Sequence, residues 1–382
     1  MDTRDSVVLS QRRQEHVDAV LDRFFSLARA RAGRLGPRYL TLWQTLEANT
    51  RGGKRFRPLM VISAYEGLGG RDPEAAAHLG AAFELLHTAL IVHDDVIDRD
   101  FVRRGGPNVS GSYRDEATTA GLSIPIAEHR GTSVAVIAGD LALTGAHRLV
   151  EGVGADDGVR ARLLTLLDEA VFASAAGELA DVDFSLMPGM PSVDEVLEME
   201  RLKTAVYSFE APLQAGAILA GADDEVVAAL GEFGRCIGIA YQIVDDLLGV
   251  FGEEGQTGKT TLGDLREGKR TVLIAHAAGT ECWPEIEHLI GDEHLGNETA
   301  ERVRGSSRSA VRAATPRTSP ATSRAAPGRR CRCPRSRRRS APRSARSSPA
   351  SWDAPDDRRS SPPRADRRLD AAPRGLPRTV AR

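Results

Sequence analysis

The feature that most restricts the fold of this chain is an apolar segment from Ala75 to Asp98, with no proline and a single glycine. Asp72-Pro73-Glu74 precedes it and is a helix start signal, with an acidic N-cap and proline at the first helical position. The segment ends in the carboxylates Asp94, Asp95 and Asp98. Acidic groups beside a buried apolar face repel one another unless cations join them. The sequence therefore predicts a long buried helix whose acidic end requires cations.

Further apolar runs have helical spacing, and no segment has a persuasive strand alternation. The predicted helices are Thr132–Glu151, Val159–Asp183, Val193–Ala220, Asp224–Phe251 and one from Lys269 past His276. Glycine and proline mark the loops between them, and 121–131 is predicted to be an irregular surface insertion. The predicted fold class is all-α, a bundle of long antiparallel helices.

The net charge of −2 averages two unlike regions. In residues 302–382, 23 arginines against 5 aspartates give +18, whereas 28 basic and 48 acidic residues in the remainder give −20. The sequence thus predicts a folded domain over 1–301 and a separate tail rich in Arg, Pro, Ser and Ala over 302–382.

The tail holds 11 of the 20 prolines and no Ile, Phe, Tyr or Met, so it is predicted to be disordered. It could be an arginine-rich tail that binds nucleic acid or a membrane surface, an inert linker, or the product of translation in a shifted reading frame. Because electrostatic contact with phosphate accepts either cation, 23 arginines without one lysine favour the frameshift, and no nucleic-acid partner is expected.

The composition otherwise indicates a soluble protein. The chain is 41% hydrophobic and has no uninterrupted apolar run near 18 residues, so no transmembrane segment is expected. Its first residues are polar and lack the apolar core of a secretory signal. A cytoplasmic location is predicted.

The two acidic clusters point to divalent metal. On a helix, His87, Asp94 and Asp98 share one face, and carboxylates one turn apart can hold Mg²⁺ while water and phosphate oxygens complete its coordination. Asp245-Asp246 follows another apolar run and would complete a site that clamps a diphosphate from both sides. The alternative for the first cluster, a solvated helix end, conflicts with the apolar residues just before it.

Basic residues form separate short groups near these clusters. Each group alone is typical of a solvated surface, but their occurrence together with two acidic helices favours phosphate binding. The segment before Lys259 is not a P-loop, because Glu253 stands where the first glycine is required. The basic groups comprise Lys54 and Arg57, Arg103 and Arg104, Lys203 beside Thr204, Lys259, and Lys269.

Together these motifs resemble the polyprenyl synthetase family of trans-isoprenyl diphosphate synthases, closest to bacterial short-chain geranylgeranyl and farnesyl types. The resemblance implies the isoprenoid synthase fold around a central apolar cavity. It implies that isopentenyl diphosphate is bound by Lys54, Arg57, His87 and Arg104, and magnesium by Asp94, Asp98 and Asp245. It assigns the allylic diphosphate to Arg103, Lys203, Thr204, Gln242, Lys259 and Lys269.

The implied reaction is a head-to-tail condensation of isopentenyl diphosphate with dimethylallyl, geranyl or farnesyl diphosphate. Asp94, Asp98, Lys203 and Asp245 would promote ionisation of the allylic C–O bond. The double bond of isopentenyl diphosphate would then attack the carbocation, and a homodimer is expected. Product length should depend on Leu86, Ala89 and Leu90; the small Ala89 leaves the channel open and predicts a C20 product, with C15 or longer as alternatives.

Two departures from the family pattern stand out. Gly249 replaces a third carboxylate of the second motif, and the arginine-rich tail replaces packed helices that the family has there. Two other functions therefore stay open. A class I terpene cyclase also ionises allylic diphosphates, although it has no use for Lys54, Arg57 and His87. A regulatory subunit could keep the fold without the chemistry.

Overall fold

The computed structural model describes residues 3–251, 263–266, 268–281, 283–292, 294–296 and 305. Helices dominate this part of the chain, which confirms the all-α prediction, and its two short strands form one antiparallel hairpin, β1 (Val102–Arg103) with β2 (Gly106–Pro107). The helices are α1 (Thr3–Gly33), α2 (Pro37–Thr50), α3 (Phe56–Gly67), α4 (Pro73–Ile97), α5 (Val109–Thr119), α6 (Ile124–Glu151), α7 (Asp157–Leu186), α8 (Val193–Glu200), α9 (Ala211–Leu219), α10 (Asp224–Phe251), α11 (Gly263–Arg266), α12 (Val272–Ala278) and α13 (Trp283–Ile286). A π-helical segment, Arg201–Glu210, joins α8 to α9, and a 3₁₀ turn, Glu287–Leu289, follows α13.

Local signals set the start of α4 as the sequence predicts. The Asp72 carboxylate accepts hydrogen bonds from the backbone N–H groups of Glu74 and Ala75, and Pro73 occupies the first helical position. Proline is tolerated there because its missing N–H would have no partner within the helix. The helix is buried over most of its length, as its apolar sequence requires.

The core forms where α4 packs against α6, α3 and α1. The face of α6 that enters this core is made of small residues. Gly139 and Gly145 continue this face, and a Cβ atom at Gly139 would lie 2.2 Å from Nε2 of His93. Because so little side chain separates them, α4 and α6 approach closely and the end of α4 is held in a fixed position. The fully buried alanines of α6 within this core are Ala135, Ala138, Ala142 and Ala146.

The predicted surface insertion at 121–131 is wrong. Helix α6 begins at Ile124, and Pro125 lies in its first turn, where proline is compatible with a helix. Gly131 is helical because α6 crosses α5 there: a Cβ atom would lie 2.4 Å from the carbonyl oxygen of Ser110. This glycine permits a close helix contact and does not mark a loop.

Three helices, α4, α6 and α10, are long and apolar enough to cross a membrane by length and composition. The mean hydropathy of each of these helices is therefore high, although none contains an uninterrupted apolar run of about 18 residues. In α4 78% of the most apolar window is buried inside the protein, whereas in α10 only 22% is. On α10 the exposed large apolar side chains are Phe233, Tyr241, Val244 and Leu248.

All the described helices belong to a single unit, Met1–Thr318. The predicted tail at 302–382 lies outside the described residues except for Gly305. The boundary near residue 302 stays a prediction.

Candidate active site

The acidic end of α4 is neutralised by lysines from distant parts of the chain. Asp98 caps the C-terminus of α4, where the helix dipole is unfavourable for a carboxylate. Its Oδ2 atom accepts a hydrogen bond of 2.9 Å from Nζ of Lys269, which follows the described helix α11. This pair joins the C-terminal part of the described chain to the first acidic cluster.

Lys203, in the π-helical segment, lies among three carboxylates. Its Nζ atom is 3.0 Å from Oδ1 of Asp94, 3.1 Å from Oε2 of Glu178 and 2.6 Å from Oδ2 of Asp181. Burial alone would lower the pKa of Lys203, but the three carboxylates outweigh it and raise that pKa. The ammonium group is therefore charged throughout the neutral range.

The same contacts act on Asp94 in the opposite sense. Burial raises the pKa of a carboxyl group, yet the charges of Lys203, Lys269 and Arg103 outweigh it and hold the pKa of Asp94 below its ordinary value. Asp94 is thus ionised at neutral pH although it is largely buried. An ionised, partly shielded carboxylate is a suitable ligand for a hard divalent cation.

Asp95 differs from its neighbour. It is buried, and its Oδ1 atom accepts hydrogen bonds from Arg103, whose Nη2 atom lies 2.6 Å away and Nε 2.7 Å away. Burial raises the pKa of Asp95 to about 6, and Arg103 opposes this shift. Arg103 also reaches Oδ2 of Asp94 at 3.4 Å. Asp95 therefore orients Arg103.

The hairpin turn positions Arg104 against the glycine loop before α3. Arg104 itself has φ 55°, a left-handed backbone conformation. A Cβ atom at Gly53 would lie 3.4 Å from Nη2 of Arg104, so the loop passes close to this guanidinium. A cavity of about 550 Å³, lined in part by His87, Arg103 and Arg104, opens beside it.

Arg57 and His87 meet at the C-terminal half of the π-helical segment. The Oγ atom of Ser208 accepts two hydrogen bonds from Arg57, at 3.0 Å from Nε and 2.8 Å from Nη2. The Arg57 guanidinium lies over the ring of Tyr207, 5.0 Å from its centroid. The Tyr207 hydroxyl is 3.3 Å from Nδ1 of His87, and the two rings stack.

Electrostatics keep His87 neutral in this setting. Burial lowers its pKa well below the ordinary value of 6.5, and the nearby guanidinium groups of Arg57, Arg104, Arg103 and Arg55 lower it further. A neutral imidazole can donate one hydrogen bond to a phosphate oxygen without adding to the positive charge. Two of these four arginines, Arg57 and Arg104, are themselves predicted to bind isopentenyl diphosphate.

The remaining predicted binding residues occupy less enclosed positions. Lys54 is exposed in the loop before α3, and Thr204 is half-buried beside Lys203. Arg55, between Lys54 and Arg57, is instead buried in ion pairs with Asp18 and Glu84. The predicted ligand Lys259 lies outside the described residues.

The second acidic cluster adjoins the start of the π-helical segment. Gln242 donates a hydrogen bond of 3.1 Å to Asp246. Burial, reinforced by the neighbouring carboxylate of Asp246, raises the pKa of Glu200 above its ordinary value. Asp245 is exposed at the same end of α10. Because Glu200 lies three residues before Lys203, this cluster adjoins the segment that delivers Lys203.

The predicted chain-length residues lie one to two turns before Asp94 on α4. Leu86 and Ala89 have no exposed surface, and Leu90 is partly buried and packs against the core. All three are also ordinary core residues by packing, so their effect on product length stays a prediction.

Several site residues were missed in the sequence. Glu178 and Asp181 are three residues apart on α7 and approach Lys203, and Tyr207 and Ser208 contact Arg57. The first pair could have been recognised as two acids on one face of the otherwise uncharged stretch 170–182 of α7. Tyr207 and Ser208 had no such signal.

The donor set fits magnesium bound together with substrate. Within the described ranges no three His, Cys, Asp or Glu side chains converge as a closed metal cage. Mg²⁺ ordinarily uses one or two carboxylates and takes its remaining ligands from water and phosphate oxygens. Asp94 and Asp98, one turn apart at the end of α4 and both approached by lysine, supply such a set.

Comparison with known proteins agrees with this site. A model of the polyprenyl synthetase family matches residues 41–304. The geranylgeranyl diphosphate synthase of Sulfolobus acidocaldarius is 35% identical over 257 residues, 66% of this chain and 71% of the relative. The farnesyl diphosphate synthase of Mycobacterium bovis is 36% identical over 254 residues, 66% of this chain and 64% of that relative. Archaeal and bacterial synthases therefore both match.

A solved structure has the same all-α fold. Geranylgeranyl pyrophosphate synthase from Corynebacterium glutamicum, complexed with isoprenyl diphosphate and magnesium, superposes with a TM-score of 0.72 at 30% identity. The superposition covers 78% of this chain and 86% of that structure.

Proposed function

Since the chain belongs to the polyprenyl synthetase family and is a prenyltransferase, we propose that it condenses isopentenyl diphosphate head to tail with an allylic diphosphate in a magnesium-dependent reaction. One observation carries the proposal. The single segment Arg201–Glu210 presents Lys203 to the acidic cluster and Tyr207 with Ser208 to His87 and Arg57. Two cationic groups contacted by one segment fit two diphosphates better than one.

On the allylic side, the chain contributes both ligands and cations. Asp94, Asp98 and Asp245 would hold magnesium, which neutralises the negative charge that develops on the departing diphosphate. Lys203 and Lys269 already lie at these carboxylates and can contact the phosphate oxygens directly. Arg103, Thr204, Gln242 and Lys259 complete the proposed allylic site.

On the other side, Lys54, Arg57, His87 and Arg104 would bind the diphosphate of isopentenyl diphosphate. The bidentate geometry of arginine suits phosphate, and a neutral His87 adds a donor. This arrangement orients the double bond toward the allylic carbon, and the proton lost after coupling passes to the released diphosphate. The buried helical core excludes water, which would otherwise quench the carbocation.

We propose geranylgeranyl diphosphate as the product. The small side chain of Ala89, one turn before Asp94, would not obstruct a product channel there, and the Sulfolobus relative carries that product in its name. Farnesyl or longer products are the alternatives.

The proposed enzyme is a cytoplasmic homodimer with no nucleic-acid partner. Exposed apolar side chains on α6 support an interface, because monomers rarely leave such patches uncovered. Sedimentation of the wild-type chain should show a dimer, and an Ile137→Glu variant should sediment as a monomer. The exposed side chains in question are Ile124, Ile126, Val136 and Ile137.

The proposal is tested by incubating the chain with Mg²⁺, isopentenyl diphosphate and farnesyl diphosphate. The expected product is geranylgeranyl diphosphate, and chelation of the metal should abolish its formation. A cyclic hydrocarbon formed without consumption of isopentenyl diphosphate would establish a cyclase instead. No elongation from a folded sample would favour the regulatory subunit.

A further inference from the structure

The π-helical geometry of Arg201–Glu210 decides which residues of this segment face the site. Its hydrogen bonds run from residue i to i+5, as in the bond from the N–H of Ala211 to the carbonyl of Val206. Residues five apart therefore point to the same side. Lys203 and Ser208 are such a pair, and Nζ of Lys203 reaches Asp94 while Oγ of Ser208 accepts two hydrogen bonds from Arg57.

An ordinary α-helix would not permit this pairing. With 3.6 residues per turn, side chains five apart point about 140° away from each other. If Lys203 kept its contact with Asp94, Ser208 would then turn away from Arg57. The π-helical register thus lets Lys203 and Ser208 serve both groups of charges from the same side of the segment.

Glycines on the two flanking helices hold this register. A Cβ atom at Gly177 of α7 would lie 2.2 Å from the backbone nitrogen of Lys203, and one at Gly238 of α10 would lie 2.4 Å from Cβ of Ala205. Real Cβ atoms essentially never approach other atoms so closely. The segment therefore packs between these two helices, and at Gly177 and Gly238 only the hydrogen atom of a glycine side chain fits against it.

We propose that Ser208 is a positioning residue for Arg57, and that the π-helical register seated on Gly177 and Gly238 fixes the spacing between the two diphosphate subsites. The inference rests on the proposed function, because it concerns the subsite assigned to isopentenyl diphosphate. Ser208 is itself almost fully buried, with 1% of its surface exposed, and acts through the guanidinium that it orients.

Loss of the Ser208 hydroxyl should affect one substrate only. In Ser208→Ala, Arg57 keeps its stacking on Tyr207 but loses both hydrogen bonds that fix its orientation. We expect the dissociation constant and the KM for isopentenyl diphosphate to rise about five- to tenfold, the effect of one ordinary hydrogen bond. The KM for farnesyl diphosphate should change less than twofold, and Ser208→Thr should restore part of the affinity.

The decisive measurement is calorimetric titration of the full chain with isopentenyl diphosphate alone, beside steady-state kinetics with both substrates. Ser174→Ala is the matched control, since Ser174 is also a buried helical serine, on α7, with 3% of its surface exposed. This control should leave both constants unchanged. If wild type binds isopentenyl diphosphate and Ser208→Ala binds it equally well, the inference is overturned while the proposed function stands. Failure of folded wild type to bind or elongate overturns the proposed function.

The register has its own test in Gly238→Ala. Displacing the segment should raise the KM values of both substrates together, by at least about tenfold. A raised KM for only one substrate would contradict a shared register. Thermal unfolding of Gly238→Ala shows whether the variant is folded, and so distinguishes a displaced segment from a misfolded chain. The Ser208 variants test the positioning role even if Gly238→Ala fails to fold.

Discussion

The Nζ atom of Lys203 lies 3.0 Å from Oδ1 of Asp94 and forms further ion pairs with Glu178 and Asp181. One ammonium group thus neutralises part of an acidic cluster drawn from α4 and α7. The first prediction follows from this arrangement.

Replacing Lys203 with methionine keeps a long apolar stem and removes the charge. We expect kcat to fall at least about 100-fold, because a cation that stabilises the departing diphosphate is lost. The free energy of unfolding should fall by about 1–3 kcal/mol, since the carboxylates lose a partner. Arg201→Met, in the same segment, is the control and should keep most of the activity. Equal losses in both variants would show that the charge of Lys203 has no particular role.

Asp94 and Asp95 are neighbours in sequence, but we predict different effects of their loss. Asp94→Asn should weaken Mg²⁺ binding at least about tenfold, because a carboxylate ligand becomes a weaker amide ligand. Asp95→Asn should keep Mg²⁺ affinity within about twofold and instead loosen Arg103, which raises the KM for the allylic substrate. Calorimetric titration with Mg²⁺ in the presence of inorganic diphosphate distinguishes the two. Equal losses of Mg²⁺ affinity would contradict the separate roles.

A bulky side chain at Ala89 should shorten the product. Ala89 is fully buried one turn before Asp94, and phenylalanine there would add bulk below the acidic cluster. We expect Ala89→Phe to stop at farnesyl diphosphate and to lose about 1–3 kcal/mol of stability through overpacking. Ala89→Ser keeps a small side chain and should keep the product. Chromatography of the dephosphorylated products measures the length, and an unchanged distribution in Ala89→Phe would locate the limit elsewhere.

The lowered pKa of His87 predicts a pH dependence of stability. As the pH falls below 6.5, the unfolded chain binds a proton at His87 that the folded chain does not, so the free energy of unfolding decreases. The decrease continues until the lower pKa of the folded state is reached, with a slope of at most about 1.4 kcal/mol per pH unit. His87→Gln lacks this proton and should have a flatter dependence. Denaturant unfolding at about pH 7.5 and about pH 5.5 tests the difference; parallel curves would exclude a neutral buried His87.

The predicted boundary at residue 302 can be tested in the nucleotide sequence of the gene. The tail has no large aliphatic or aromatic pattern with which to cover the exposed apolar side chains of α10. Restoring one base near codon 302 should convert the tail into amphipathic helical sequence. Arg, Pro and Ser continuing in every reading frame would instead favour a genuine tail.

Local signals explain what the sequence predicted correctly. The start of α4 follows from Asp72 and Pro73, and α10 runs from Asp224 to Phe251 as its periodicity indicates. Both depend on residues within a few turns of one another. The acidic ends of these helices could be recognised for the same reason, because carboxylates beside an apolar run are visible in the sequence.

Contacts between distant segments explain what was missed. The helix predicted over Val193–Ala220 contains a π-helical segment because Gly177 and Gly238, on other helices, allow its backbone to approach. Nothing in the surrounding sequence distinguishes these two glycines from glycines that lie in loops. For the same reason the sequence predicts a loop that ends at Gly131, although this glycine lies within α6. The roles of Glu178 and Ser208 likewise exist only through partners that folding brings close.

The alanine and glycine face of α6 limits how this protein can evolve. Because Ala135, Ala138 and Ala142 have no exposed surface and lie opposite α4, any larger residue there would push the two helices apart and displace Asp94. Mutations that adapt the enzyme to new products should therefore accumulate on α4, at Leu86 and Ala89, while the facing positions of α6 stay small. Laboratory evolution for altered product length should reproduce this asymmetry.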